Sequence, residues 1–270
     1  MGETPPGDGG TVGKALAVLD LVASFERPVR FGELLPLSPF PKASLYRFLQ
    51  TLTGQGMLSY DDAQQTYAPG PRLLRLAHAA WRGFSLAPLA AEELDALAAE
   101  VGETIHLAQL DHAHVLYIDK RSPANAVRMY SSAGKVGPAY CTGVGKAMLA
   151  WLDGPALDAV IAQQSFHRFT PATLTDGDAL RADLAESRRR GFAVDREEHE
   201  PGIVCVALPI LGGRQPIGAL SVTAATTQRT LDDLMALVPR VRRAADAISE
   251  AARYWQFPDR PREAAGGAKG

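Results

Sequence analysis

One stretch of fifteen residues, Pro41-Lys42-Ala43-Ser44-Leu45-Tyr46-Arg47-Phe48-Leu49-Gln50-Thr51-Leu52-Thr53-Gly54-Gln55, constrains this chain most. Leu45, Phe48, Leu49 and Leu52 recur at i, i+3, i+4 and i+7, which predicts a helix with one apolar face. Pro41 suits the first helical position, where its missing N–H costs nothing. The opposite face carries Ala43, Arg47, Gln50 and Gly54, flanked by Lys42, Ser44, Tyr46 and Thr51, and it holds no acid. Arg and Gln side chains can pair with guanine and adenine edges, and Lys, Ser and Tyr suit phosphate oxygens. An ordinary surface helix with two cations fits the same pattern, so the surroundings must decide.

Val12, Ala15, Leu16, Leu19, Val22 and Ala23 predict an earlier amphipathic helix, and Phe31, Leu34 and Leu35 a short second one. Pro36 removes an intrahelical bond and crowds the preceding turn, so this second helix should end near Leu35. A turn at Ser38-Pro39-Phe40 then feeds the polar-faced helix, which is helix-turn-helix order. Met57-Leu58-Ser59-Tyr60 and Thr66-Tyr67-Ala68 read as strands of a hairpin tipped by 61–65, a wing. Lys42, Ala43, Ser44, Tyr46, Arg47 and Gln50 are therefore the candidate contacts to double-stranded DNA. The stretch from Val12 to Leu76 resembles the DNA-binding half of an IclR-family transcriptional regulator. The resemblance rests on 15–20, 41–47, Gly56-Met57-Leu58 and 67–74.

The chain has 270 residues, 46% hydrophobic and 21% charged, enough for two modest domains. Its net charge of −2 excludes binding nucleic acid by bulk charge, so a local basic face is required. That face is the helix above, with two cations and no anion between Phe40 and Gly56. Cys141 and Cys205 form no ligand or redox spacing, which fits reduced thiols in a cytoplasmic protein. No apolar run approaches the roughly 18 residues of a membrane helix. Residues 1–10 are Gly/Pro-rich and acidic, unlike a signal peptide. They and 258–270 read as disordered tails.

The organisation expected is a winged helix-turn-helix over 11–70, a linker helix over 71–85 and a second domain over 86–255. In the linker, Leu73, Leu74, Leu76, Ala77, Ala80 and Trp81 supply the apolar side. Past a boundary at Leu86-Ala87-Pro88, the pattern predicts a helix at 89–101. Strands follow at 103–110, 114–119 and 127–131, then helices at 143–151, 155–164 and 178–190, the last stopped by Gly191. Strands at 192–195, 203–210 and 217–223 precede one long closing helix, 231–255. Residues 203–208 are apolar throughout, as in a central strand covered on both faces. This is an α+β domain, a mainly antiparallel sheet with packed helices.

This half also resembles the IclR family, whose effector-binding domain is GAF-like. The matching runs are 115–120, 128–131, 142–150, 169–171 and 191–202, so the resemblance spans nearly the whole chain. It implies a ligand-responsive regulator, a repressor of a catabolic operon, that senses a small organic acid without a cofactor. It also implies a homodimer or dimer of dimers and hence a pseudo-palindromic operator. The run at 128–131 looks most like regulators of sugar-acid catabolism, such as those sensing 2-keto-3-deoxy-gluconate. The effector residues it implies are Met129, Gly143, Val144, Asp195, Cys205, Ser221 and Thr223.

Each of these has a plainer reading. Gly143-Val144-Gly145-Lys146 opens a helix, whose free N–H groups can hold a carboxylate, yet a tight turn packing that helix on a sheet needs the same glycines. Buried free cysteine behaves as a small hydrophobe. The cluster Asp195, Glu197, Glu198, His199 and Glu200 has metal-ligand chemistry but reads better as a loop that shapes the pocket. A two-ended effector fits best, with its carboxylate on 143–145, its hydroxyls at Asp195, Ser221 and Thr223, and Met129 and Cys205 along its middle. Two alternatives stay open: a ligand-binding module without DNA function, and a Cys-dependent enzyme built on Cys205 and His199.

Overall fold

The computed structural model describes residues 10–25, 27–124, 126–127 and 129–253, without the side chains of 78 and 80–84. The expected tails lie outside the described residues, except that Gly10 opens the first helix. A division after Phe84 separates two compact units.

The first unit runs α1 (Gly10–Ala23), β1 (Val29–Arg30), α2 (Phe31–Leu34), a 3-10 turn (Leu35–Leu37), α3 (Lys42–Gly54), β2 (Leu58–Asp61), β3 (Thr66–Pro69) and α4 (Pro71–Phe84). Pro36 acts as expected, since α2 stops at Leu34 and the proline sits in the 3-10 turn. Pro41 is the residue before α3 rather than its first, with an extended backbone at φ −56° and ψ 149°. Leu45, Phe48, Leu49 and Leu52 pack into one core with Val18, Leu19, Val22, Leu34, Leu58 and Tyr67. Fully burying one such leucine is worth about 1.5–3 kcal/mol, which is what fixes the roll of α3.

The hairpin β2–β3 pairs Leu58 with Pro69 through Asp61 with Thr66, and β1 adds to β3, giving the order β1-β3-β2. At the tip, Asp61 Oδ1 accepts the amides of Ala63 and Gln64, a local turn that strand patterning cannot show. Two expectations fail. Val12 and Leu16 of α1 are 72% and 48% exposed, and Leu74 and Leu76 of α4 are 75% and 51% exposed. Val12 and Leu16 extend the apolar stripe of α1 beyond what the unit's own core covers, whereas Leu74 and Leu76, two residues apart, stand on nearly opposite sides of α4.

The second unit comprises α5 (Ala87–Val101), β4 (Thr104–Asp111), β5 (His114–Arg121), β6 (Val136–Pro138), α6 (Gly143–Leu149), α7 (Gly154–Ile161), α8 (Gly177–Arg190), β7 (Ala193–Arg196), β8 (Ile203–Gly212), β9 (Gln215–Ala225), α9 (Leu231–Met235) and α10 (Val238–Ala252). Its six-stranded sheet has the order β6-β5-β4-β9-β8-β7, every pair antiparallel. Side-chain alternation divides it into two faces. Val204, Val206, Leu208, Leu220, Val222 and Ala224 join Leu94, Leu97, Val241 and Ile248 of α5 and α10. The other face presents Ala108, Ala193, Ala207 and Ala219 to α6, which packs there with Val144, Ala147 and Met148. Small residues on this face let α6 lie close to the sheet. Strand β8 is thus covered on both sides, as its unbroken apolar run predicts.

Two other segments differ from expectation. Residues 127–131, where described, form no strand; the outer partner of β5 is β6, through Val115↔Gly137. The 129–131 segment is held by side chains instead. The single closing helix is broken into α9 and α10, because Pro239 in the first turn of α10 cannot donate to the preceding turn and crowds its carbonyl. Trp255 lies outside the described residues.

Candidate functional site

On α3, Lys42, Ala43, Tyr46, Arg47 and Gln50 are exposed, while Ser44 is half-buried and donates its amide to the Pro41 carbonyl. The Gln50 side-chain amide donates to the Tyr46 hydroxyl at 3.0 Å, and Phe31 meets the Tyr46 ring edge-on at 6.1 Å. Two of the candidate contacts are therefore held in place before any partner arrives. Arg47 rests on the Phe48 ring at 5.8 Å, so both edges of its planar fork stay accessible.

In the second unit, all seven candidate effector residues line one cavity. Cross-strand register builds its floor, because Thr223 stands opposite Cys205 and Cys205 opposite Asp195. Ser221 lies two residues from Thr223 on the same face, opposite His106 of β4. Thr142, Gly143 and Val144 at the start of α6 form a wall, and Met129 lines the cavity as well. His199 and Glu200, from the loop expected to shape the pocket, also line it, as do His106, Tyr117, Tyr130, Ser131, Thr142 and Ile203, which pattern reading did not single out. His106 could have been suspected, since it stands between Ile105 and Leu107 as a polar residue inside an apolar run.

His106 binds three hydroxyls. Its Nε2 lies 2.7 Å from Ser131 Oγ, and its Nδ1 lies 3.2 Å from Thr223 Oγ1 and 3.4 Å from Ser221 Oγ. Burial, helped by the Lys120 charge, pushes its pKa down to about 3, so the ring is neutral. Asp195 Oδ1 accepts the Glu198 amide at 2.8 Å. Burial and then the Glu198 charge push Asp195 up to about 7, against the pull of Lys146. Asp195 is therefore a carboxyl near its midpoint at neutral pH, able to donate as well as to accept.

Behind this wall Lys146 is fully buried, 2.5 Å from Glu198 and 3.1 Å from Asp183. Burial pulls Lys146 down, but Glu198, Asp183 and Asp195 together hold it charged. Glu197 binds the Gly202 amide and Glu200 the Tyr130 amide, while Thr173 donates to the Glu198 carbonyl at 2.6 Å. The acidic run is thus a braced loop, and no group of three or more ligands placed to hold a metal occurs among the described residues. Gly143 shows the packing role of its motif: a Cβ there would fall 2.1 Å from Cys205 Sγ. Its amide faces that same sulfur. Burial drives the Cys205 thiol well above its ordinary range, and His199 packs edge-on against Tyr130 and tilted against Phe169. A buried neutral thiol of this kind is a poor nucleophile.

A winged helix-turn-helix on the same chain as a sheet-bound polar cavity defines a DNA-binding regulator with a sensor domain. Residues 11–62 match the IclR helix-turn-helix domain, and residues 78–250 match the bacterial transcriptional regulator IclR C-terminal family. The chain is 31% identical to the HTH-type transcriptional regulator XynR of Escherichia coli over 90% of its length and 97% of that protein. It is 31% identical to the E. coli regulator KdgR, over 86% of this chain and 89% of that protein. The Thermotoga maritima IclR crystal structure superposes with a TM-score of 0.73 and 27% identity, covering 90% of this chain and 99% of that one. The chain belongs to the IclR family: it is a DNA-binding transcriptional regulator, not an enzyme, and its C-terminal domain is the effector-binding domain.

Proposed function

We propose that this regulator is a cytoplasmic repressor of a catabolic operon that reads a pseudo-palindromic operator as a homodimer or dimer of dimers. Arg47 and Gln50 of each α3 meet base edges, and Lys42, Ala43, Ser44 and Tyr46 line the groove and backbone. A small hydroxylated organic acid in the cavity shifts the DNA-competent population. The convergence of Met129, Gly143, Val144, Asp195, Cys205, Ser221 and Thr223 on one cavity carries this reading.

Hydroxyl-bearing groups at one end and Met129 with Cys205 along the middle suit a sugar acid better than a fatty acid, and the likeness to KdgR supports that subgroup. The cavity encloses about 40 Å³, room for only a few waters, so a sugar acid must open it. Met129 and Thr223 also border a neighbouring cavity of about 250 Å³, so displacing Met129 would join the two. Ligand entry then moves the 129–131 segment, which is the differential contact a switch needs. Footprinting on the region upstream of its own gene, with and without 2-keto-3-deoxygluconate, tests the proposal. A two-fold symmetric, salt-dependent footprint that weakens with the acid is expected; no footprint at low salt would refute it.

A further inference from the structure

The cavity poses a charge problem for an acid effector. Among the described residues no Lys or Arg lines it, whereas Asp195 and Glu200 do. The neighbouring cations are committed. Lys146 serves Glu198 and Asp183, and Lys120 donates to the Ser131 carbonyl at 2.8 Å while it faces Glu200. The two histidines are neutral, His106 by burial and His199 by burial against the opposing Glu200. The amide of Gly143, the expected anchor for a carboxylate, faces Cys205 Sγ.

Among the described residues, the titratable groups that act on or surround Asp195 come from several elements. Cys205 is on β8, Cys141 precedes α6, Lys146 is on α6 and Tyr117 is on β5. Glu198, His199 and Glu200 are on the loop after β7. The thiols and the phenol are all held protonated by burial. An anion placed here meets a carboxylate and no cation among the described residues, and in so dry a site that repulsion goes unscreened.

We propose that the cavity takes up its organic acid together with one proton, Asp195 donating a carboxyl hydrogen bond to the effector's carboxylate and so selecting an acid. The proton comes from bulk water, one for each anion bound. Asp195 Oδ1 is engaged by the Glu198 amide, so Oδ2 is the oxygen that carries it. The short hydroxyl–acid geometry expected between a carboxyl and a carboxylate is among the stronger hydrogen bonds available to a protein. A group with a folded pKa of about 7 is poised to make this exchange near neutral pH. The inference rests on the organic-acid reading of the cavity.

Calorimetry on the full-length protein tests it, with 2-keto-3-deoxygluconate, D-gluconate, glycolate and benzoate as probes. Titrations in phosphate and in Tris at pH 8 report proton uptake from the difference in buffer ionisation heat. Uptake of about one proton per ligand is expected, with affinity falling about tenfold per pH unit above 7. Asp195→Asn, which donates without a proton, should bind at pH 8 as wild type binds at pH 6, with no proton uptake and a flat pH profile. Binding without proton uptake overturns the inference but leaves the organic-acid reading standing. So does an Asp195→Asn variant that still takes up a proton or loses binding at pH 6. Zero uptake with binding abolished by Arg128→Ala would assign the charge to that arginine instead. Silence of all four acids at both pH values contradicts the organic-acid reading itself, and this inference with it.

Discussion

The reading helix and the cavity are built on opposite plans. The six candidate DNA contacts fall within nine consecutive positions, Lys42 to Gln50, and stand on one helix whose roll is fixed by four buried residues. The cavity draws its seven candidates from Met129 to Thr223 and assembles them only through strand register and the close packing of α6. The first surface exists as soon as α3 docks. The second exists only when the whole sheet is in place. Substitutions at the exposed positions of α3 should therefore change DNA binding and leave stability alone, whereas substitutions around the cavity should change stability and ligand response together.

The largest expected effect is at Lys146. Lys146→Met leaves the buried Glu198 without its cation, while the partly exposed Asp183 keeps Arg196 at 3.5 Å, and should cost about 3–5 kcal/mol in urea unfolding. Adding Glu198→Leu should recover part of that loss; no recovery would mean the pair is not the cause. Next comes the Gly143 contact. Gly143→Ala forces a methyl into the Cys205 sulfur and should cost about 1–3 kcal/mol, relieved by Cys205→Ala in the double variant.

On the other side of the comparison, Arg47→Ala should lose about 1–3 kcal/mol of operator affinity and relax preference at one position per half-site. Lys42→Ala should weaken all sequences alike and reduce the salt slope by about one. Unfolding midpoints of both variants should match wild type. Wild-type operator affinity for Arg47→Ala would remove α3 as the reader.

The smallest effect is a pH slope. Asp195 has a folded pKa raised from its ordinary 3.8 to about 7, so the folded state holds the extra proton. Its contribution to stability is full below about pH 4 and is lost as pH rises through 7. His106 works in the opposite sense. Its folded pKa is depressed to about 3, so its contribution is present above pH 6.5 and is lost as pH falls toward 3. The two windows overlap and oppose each other between about pH 4 and 6.5, so the wild-type slope there is small; thermal melts of Asp195→Asn, which keep only the His106 contribution, should gain stability with rising pH across that window.

The same contrast explains what could be read from sequence. Helix α3, the wing and the proline that ends α2 follow from local period and backbone sterics, and all three stand where expected. The seven cavity residues came from resemblance, because no local pattern joins Met129 to Thr223. The strand expected at 127–131 failed because β propensity cannot tell a segment that joins a ladder from one held by Ser131 and Met129 over a cavity. His106 escaped notice because its partners, Ser131, Ser221 and Thr223, lie far away in sequence. The exposed Val12 and Leu16 show a limit of periodicity, which marks an apolar stripe but not what covers it.

Linkage between the two sites is the central claim, and one pair of titrations measures it. Operator affinity is determined by fluorescence anisotropy without ligand and with an acid at a concentration that calorimetry shows to saturate the cavity. Effector affinity is then determined on free and on DNA-bound protein. The account predicts that the acid weakens operator binding, and that DNA weakens acid binding by the same factor. Operator affinity unchanged at full occupancy of the cavity would contradict it.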